Sequence, residues 1–263
     1  MPLPPTTATT GRPRPVTRLL TGGLALAVGA VLLAPGVASA KPASAPAVKA
    51  PATASVTAAA AAPRTLKLGM SGADVKALQN KLISLHYIDV KSATGVFDSG
   101  THHAVVAFQK VHRLGRDGIV GPITRSKLAA PATPRPRVKR SGGYYEIDLT
   151  RQVLFGFSGS NVIRIADTST GTGRTFTRPS GGTGVAVTPT GTFRIQRKID
   201  GWRKSDLGLL WRPAYIVGGI AIHGSASVPP YPASHGCIRT TIQTQNRMWP
   251  YLPIGRIVYV YRS

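Results

Sequence analysis

Two stretches of this chain cannot fold on themselves, and they confine everything that can. Residues 41–63 are almost entirely Ala, Pro, Ser, Thr and Val, and residues 129–141 are Pro-rich and basic. Neither can bury enough apolar surface to offset chain entropy, so both read as linkers. Folded structure is left to residues 64–128 and 142–263, each the size of a small domain. Upstream, Arg12, Arg14 and Arg18 precede an uncharged apolar run from Leu19 to about Leu33, and Ala38-Ser39-Ala40 supplies small residues for cleavage. Residues 1–40 therefore read as a secretory signal removed before Lys41. An uncleaved anchor is the alternative, weakened because Gly22, Gly23, Gly29, Pro35 and Gly36 interrupt the ~20 strongly apolar residues a span requires.

The formal net charge of +24 is spread along the whole length. No basic helix carries base-reading residues and no ribonucleoprotein-like aromatic motif occurs, so nucleic acid is not an expected partner. A basic exported chain meets anionic wall polymers or membrane surface instead. Cys237 is the single cysteine. Without an internal partner it lies outside any disulfide framework and is either a buried inert thiol or a reactive one.

In residues 64–128, Val75, Leu78, Leu82 and Leu85 fall at helical spacing after Ser71-Gly72, with Asp74 near the helix start where a carboxylate favours the dipole. A second helix begins near Asp98 or Thr101 and turns Ala104, Val105, Phe108 and Val111 inward. Val75-x-x-Leu78-Gln79 and Val105-x-x-Phe108-Gln109 repeat one pattern, so two similar helices pack in one bundle. Pro122 after Gly121 suits the first turn of a short third helix ending near Leu128. The run Gly69 to Leu82, with Gly95-Val96-Phe97-Asp98, Phe108-Gln109, and Asp117 to Pro122 followed by Thr124, resembles the peptidoglycan-binding domain found beside wall hydrolases and transferases. The resemblance implies a three-helix wall-targeting module without catalysis. A helical spacer that binds nothing is the plainer reading. His86, His102, His103 and His112 lack a compact Cys or carboxylate set and read as solvated surface histidines, not as metal ligands.

Residues 142–263 read as β. Tyr144–Leu149, Gln152–Phe157, Val162–Ala166, Phe193–Gln196, Ala214–Val217, Ile220–Ile222 and Ile257–Tyr261 are short strand candidates, and Gln243–Trp249 is a helix candidate. The chemistry concentrates in Ile222-His223-Gly224 and Ser234-His235-Gly236-Cys237-Ile238-Arg239. If the second run is extended, His235 and Cys237 project from one face, while His223 arrives from another strand. Either imidazole can take the thiol proton, and a free thiol titrating near ~8.5 needs such a base to attack at neutral pH. Spacing does not rank the two histidines.

These residues, with Thr188-Pro189-Thr190-Gly191-x-Phe193 upstream and Pro253-x-Gly255-x-Ile257 to Tyr261 downstream, resemble the YkuD-type L,D-transpeptidase catalytic domain over about residues 142–263. The expected architecture is α+β and multidomain: a small three-helix peptidoglycan-binding bundle followed by a mainly-β sandwich. The resemblance implies Cys237 as nucleophile, His223 as general base and the Gly224 carbonyl as the group orienting it. It implies that Ser234, His235 and Gly236 shape the nucleophile loop and oxyanion site, with Ser234 and Arg239 toward substrate. The activity implied is exported acyl transfer. Cys237 forms a thioester with a tetrapeptide stem, D-alanine leaves, and an acceptor stem amine resolves the thioester into a 3-3 cross-link. Neither cofactor nor metal is required, and a monomer at the cell wall is expected. The partners are peptidoglycan stem peptides and glycan, with anionic wall polymers as a further candidate. After Arg239, Thr240, Thr241 and Gln243 depart from the family's usual aliphatic and acidic residues, which leaves acceptor preference open. Three rivals are a zinc site of His223, His235 and Cys237, a carboxypeptidase using water as acceptor, and a non-catalytic wall-binding adaptor.

Overall fold

A computed structural model describes residues 63–263. The expected signal and most of the first linker lie outside the described residues. The architecture is α+β, in three layers.

The first layer holds three helices, α1 (Ala73–Ser84), α2 (Ser99–Val111) and α3 (Pro122–Ala129). The Asp98 carboxylate caps α2 by accepting the Thr101 N–H at 2.7 Å, and Pro122 occupies the first turn of α3. The sequence repeat has a physical cause. Gln79 accepts the Gly95 N–H at 2.8 Å and Gln109 accepts the Gly118 N–H at 2.9 Å, each buried amide stapling the loop beyond its own helix. Gly95 and Gly118 both sit at positive φ, 80° and 70°, where a glycine is favoured.

The second layer is a five-stranded sheet ordered β3-β2-β1-β12-β6, from β1 (Gly143–Asp148), β2 (Val153–Ser158), β3 (Asn161–Asp167), β6 (Gly191–Arg194) and β12 (Ile257–Tyr261). The third is β11-β10-β9-β7 with β8 also paired to β9, from β7 (Arg197–Lys198), β8 (Trp202–Ser205), β9 (Gly208–Val217), β10 (Ile220–Ser225) and β11 (Ile238–Thr241). A separate hairpin pairs β4 (Thr175–Thr177) with β5 (Thr183–Val185), and α4 (Ile242–Met248) follows β11.

Strands β1 and β2 of the middle sheet are buried on both faces, and alternation, interrupted by one bulge in β3, sends the sheet's side chains two ways. Tyr145, Ile147, Leu154, Val258 and Val260 enter a core with Ile216, Ile222, Ile238 and Met248 of the third layer and α4. Tyr144, Val153, Phe155, Phe157, Val162 and Ile165 enter a second core with Leu82, Tyr87, Phe97 and Phe108 of the helical layer. The helical part and the β part therefore share a core. Backbone bonds continue across the junction, with Ile88 N–H to Ile165 O at 2.9 Å and Ile165 N–H to His86 O at 2.8 Å. The Pro-rich connection is itself pinned, since Glu146 accepts the Arg137 N–H at 3.0 Å and the Tyr144 hydroxyl donates to Val138 O at 2.9 Å.

This shared core carries a first prediction. A fragment of residues 142–263 alone would expose the outer face of β1–β3, at about 1.5–3 kcal/mol per large apolar side chain, which together matches a whole domain's stability of ~5–15 kcal/mol. Such a fragment is expected to bind an apolar dye and to melt without cooperativity, whereas residues 63–263 melt as one unit. Differential scanning calorimetry of both checks this, and an equally sharp transition in the fragment would refute it.

Candidate active site

Strands β10 and β11 run parallel with Ile222 opposite Ile238 and His223 opposite Arg239. Both isoleucines are fully buried in the core between the sheets. Alternation therefore turns His223 and Arg239 to the opposite face, and Cys237, one residue before β11, turns with them. All three line an open cleft of about 1380 Å³.

His223 is buried, and its Nδ1 lies 2.9 Å from Gly224 O. A carbonyl only accepts, so Nδ1 carries the proton and Nε2 keeps its lone pair. Burial pushes His223 down to about 4, partly offset by that hydrogen bond. Gly224 has no room for a side chain, because a Cβ there would come within 2.9 Å of Trp211 Cδ1 and 3.1 Å of Ile242 Cα.

The thiol of Cys237 is half-buried and donates to Gly219 O at 3.7 Å. Burial raises its pKa, against smaller opposing effects of the Ala221 backbone and the Arg239 guanidinium. Desolvation thus disfavours the charged form of each group, the imidazolium and the thiolate.

The loop from Ser234 to Cys237 is bent, not extended. Gly236 has φ 133°, and a Cβ there would meet Val187 O at 2.8 Å. The bend carries His235 out to solvent, where its ring packs 4.5 Å from Phe176. His235 and Cys237 nevertheless both line the cleft, joined by a bend and not by an extended strand. Ser234 acts within the loop. Its buried hydroxyl donates to Cys237 O at 2.6 Å and accepts the Gly236 N–H at 3.0 Å, so it staples the loop at the edge of the cleft. The same bond occupies the Gly236 N–H, one of the donors expected for an oxyanion. Thr188 fixes the loop from outside, donating to Gly236 O at 2.6 Å and accepting the Gly171 N–H at 2.9 Å.

Two hairpins form the lips of the cleft, β4–β5 with Phe176, Arg178 and Val185, and β8–β9 with Trp202, Leu207 and Leu209. Ser180 Oγ donates to Asp206 at 2.7 Å and joins them. Sequence reading missed both lips, and the only signal available was the Trp202 and Trp211 pair, whose ring centroids lie 5.0 Å apart with the planes tilted. Of the four helical-part histidines only His86 is solvated, while His102, His103 and His112 are half-buried in packed surfaces. Among the described residues no group of three His, Cys, Asp or Glu could hold a metal ion, and no helix is long and apolar enough to cross a membrane.

Residues 142–260 match the L,D-transpeptidase catalytic domain family, named YkuD, and residues 71–128 match a peptidoglycan binding domain family. A crystal structure of the L,D-transpeptidase of Xylanimonas cellulosilytica is 43% identical with a TM-score of 0.73, the match covering 76% of this chain and 98% of that one. The N-acetylmuramoyl-L-alanine amidase CwlL of Bacillus licheniformis is 40% identical over 78 residues, 29% of this chain and 22% of that protein. This chain spans about a fifth of the length of the curated relatives it matches.

Proposed function

The chain belongs to the L,D-transpeptidase family, with a peptidoglycan-binding domain ahead of the catalytic one, and from that premise we propose that it is an exported acyltransferase cross-linking peptidoglycan stems through Cys237. In this reading Cys237 Sγ attacks the carbonyl before the terminal D-residue of a tetrapeptide stem. His223 Nε2 takes the thiol proton as the S–C bond forms, and returns it to the D-alanine amine as that C–N bond breaks. A stem amine then attacks the thioester, giving a 3-3 cross-link and regenerating the thiol.

The observation that carries the reading is the fixed tautomer of His223, whose Nδ1–H is held by Gly224 O and whose free lone pair shares a cleft with the chain's single thiol. The downward shift of His223 suits it, since a base held that low is unprotonated at neutral pH and able to take the thiol proton. The Cys237 backbone N–H is the proposed oxyanion donor, in a role typically contributing ~3 kcal/mol. Arg239 is half-buried in the cleft, and in this reading its guanidinium meets a stem carboxylate.

Mass spectrometry of the protein mixed with soluble tetrapeptide is the test. The expected result is a thioester adduct on Cys237 with one D-alanine released per adduct, and a stem-to-stem product once acceptor is supplied. D-alanine release without that product would instead identify water as acceptor and a carboxypeptidase. An undiminished adduct on Cys237→Ala, or no adduct on wild type, would sink the acyl-enzyme reading.

A further inference from the structure

Lys110 lies on α2 of the peptidoglycan-binding layer and is fully buried. Its three donors are all used. Nζ donates to the Asp167 carboxylate, to Gln152 O at 3.1 Å and to Thr168 O at 2.8 Å. His103, also on α2, meets the other oxygen of Asp167 at 2.7 Å. Burying an ammonium and a carboxylate is costly unless both are fully paired, and a hydrophobic contact would join two domains at least as well. The expense therefore suggests that the position of Asp167 itself matters.

Asp167 ends β3 and opens a strap, residues 167–172, which runs beside the Cys237 loop. Ser169 N–H donates to Arg239 O at 3.1 Å and Arg239 N–H returns to Ser169 O at 2.9 Å. Ser234 N–H donates to Thr170 O at 2.9 Å, and Thr172 N–H to Ser234 O at 3.1 Å. Gly171 reaches Gly236 through the Thr188 hydroxyl, and Ser169 Oγ donates to Tyr231 O at 2.7 Å. From the helical layer again, Arg116 donates to Pro230 O at 3.1 Å, just ahead of the same loop.

We infer that Lys110 and Arg116 of the wall-binding layer are positioning residues for the acyl-transfer loop Ser234–Arg239, Lys110 acting through Asp167 and the strap and Arg116 through Pro230. The peptidoglycan-binding domain is then part of the catalytic scaffold as well as a means of attachment. Lys110 gripping only the sheet would make it a docking contact; its bond to Thr168 O lies on the strap itself.

The inference rests on the acyl-transfer reading, and the experiment separates the two. Full-length wild type and Lys110→Met are assayed for D-alanine release from a soluble tetrapeptide, where attachment to wall plays no part, at a temperature at which circular dichroism shows both folded. The expected result is a kcat lower by about 10- to 100-fold, as displacements below 1 Å at reacting atoms produce, with KM within about threefold. The alkylation profile of Cys237 against pH should shift as well. A lower melting temperature with kcat and profile unchanged would mean a docking contact only and would overturn the inference. If Lys110→Met does not fold, Arg116→Ala at the half-buried surface decides, and unchanged kcat there overturns it equally. Should wild type release no D-alanine, the acyl-transfer reading fails by itself, and the alkylation profiles still report whether Lys110 positions the thiol.

Discussion

Replacing His223 by alanine is expected to lower the rate of Cys237 acylation by roughly 10³-fold, within the range that general acid–base groups contribute. The loss should fall on kcat, because His223 is buried beneath the cleft and serves the proton in flight more than the resting substrate. The pH dependence follows from the direction of its shift. A base depressed to about 4 is protonated only below that value, so wild-type kcat/KM should rise through pH of about 4 and be level by neutrality. The thiol is shifted the other way, so alkylation by a neutral reagent should inflect above the ~8.5 of a free thiol. An alkylation inflection below that of a free thiol would establish a resting thiolate–imidazolium pair and contradict this electrostatic account. Linkage gives an independent reading. An unfolded histidine near ~6.5 binds protons that folded His223 refuses, so its contribution to stability is complete above about 6.5 and is lost as pH falls toward about 4.

Gly236→Ala is the second large effect. At φ 133° an L-residue is strained whatever its surroundings, and here the added Cβ would stand 2.8 Å from Val187 O and 2.7 Å from Ile220 Cδ1. The isoleucine tip can rotate away, but the carbonyl belongs to backbone, so the loop must move. We expect kcat to fall at least about 100-fold while the fold persists. Gly255→Ala is the control, with positive φ of 84° but open space around its Cβ. It should cost about 1 kcal/mol of stability and leave acylation unaltered. Equal kcat losses in both variants would show that general destabilisation, not the loop, is responsible.

Much of the scaffold could be read from residue order because its apolar periods are clean. Val75, Leu78 and Leu82 mark one helix, and the alternation through Tyr144–Ile147 marks a strand. The hairpins over the cleft were illegible for the opposite reason: β8 is exposed at every position and β4 nearly so, leaving no buried face to impose a pattern. The extended reading of Ser234–Arg239 failed at Gly236, whose left-handed backbone is invisible in a list of side chains. Lys110 escaped because a lysine reads as solvated and its partner Asp167 is far away in sequence. Yet His103, Ala107 and Lys110 share the helical spacing of one face, and Ala107 is fully buried. A charged residue on an otherwise buried stripe was the available sign. His102, His103 and His112 went the same way, judged by residue type when the face they occupy decided their burial.

The core shared between the helices and the middle sheet also bears on how the chain reaches this structure. Synthesis delivers α1 and α2 first, yet the surface that completes their burial, ending at Ile165, is made only after α3 and the Pro-rich connection. Until then Leu82, Tyr87 and Phe108 have no strand to close over them, and closing requires contacts between residues many tens of positions apart. Such long-range closure is slow compared with helix formation. The rate-limiting event of folding should therefore be docking of the β2–β3 ribbon onto preformed helices, so that truncating Phe157 slows folding more than truncating Leu78 does.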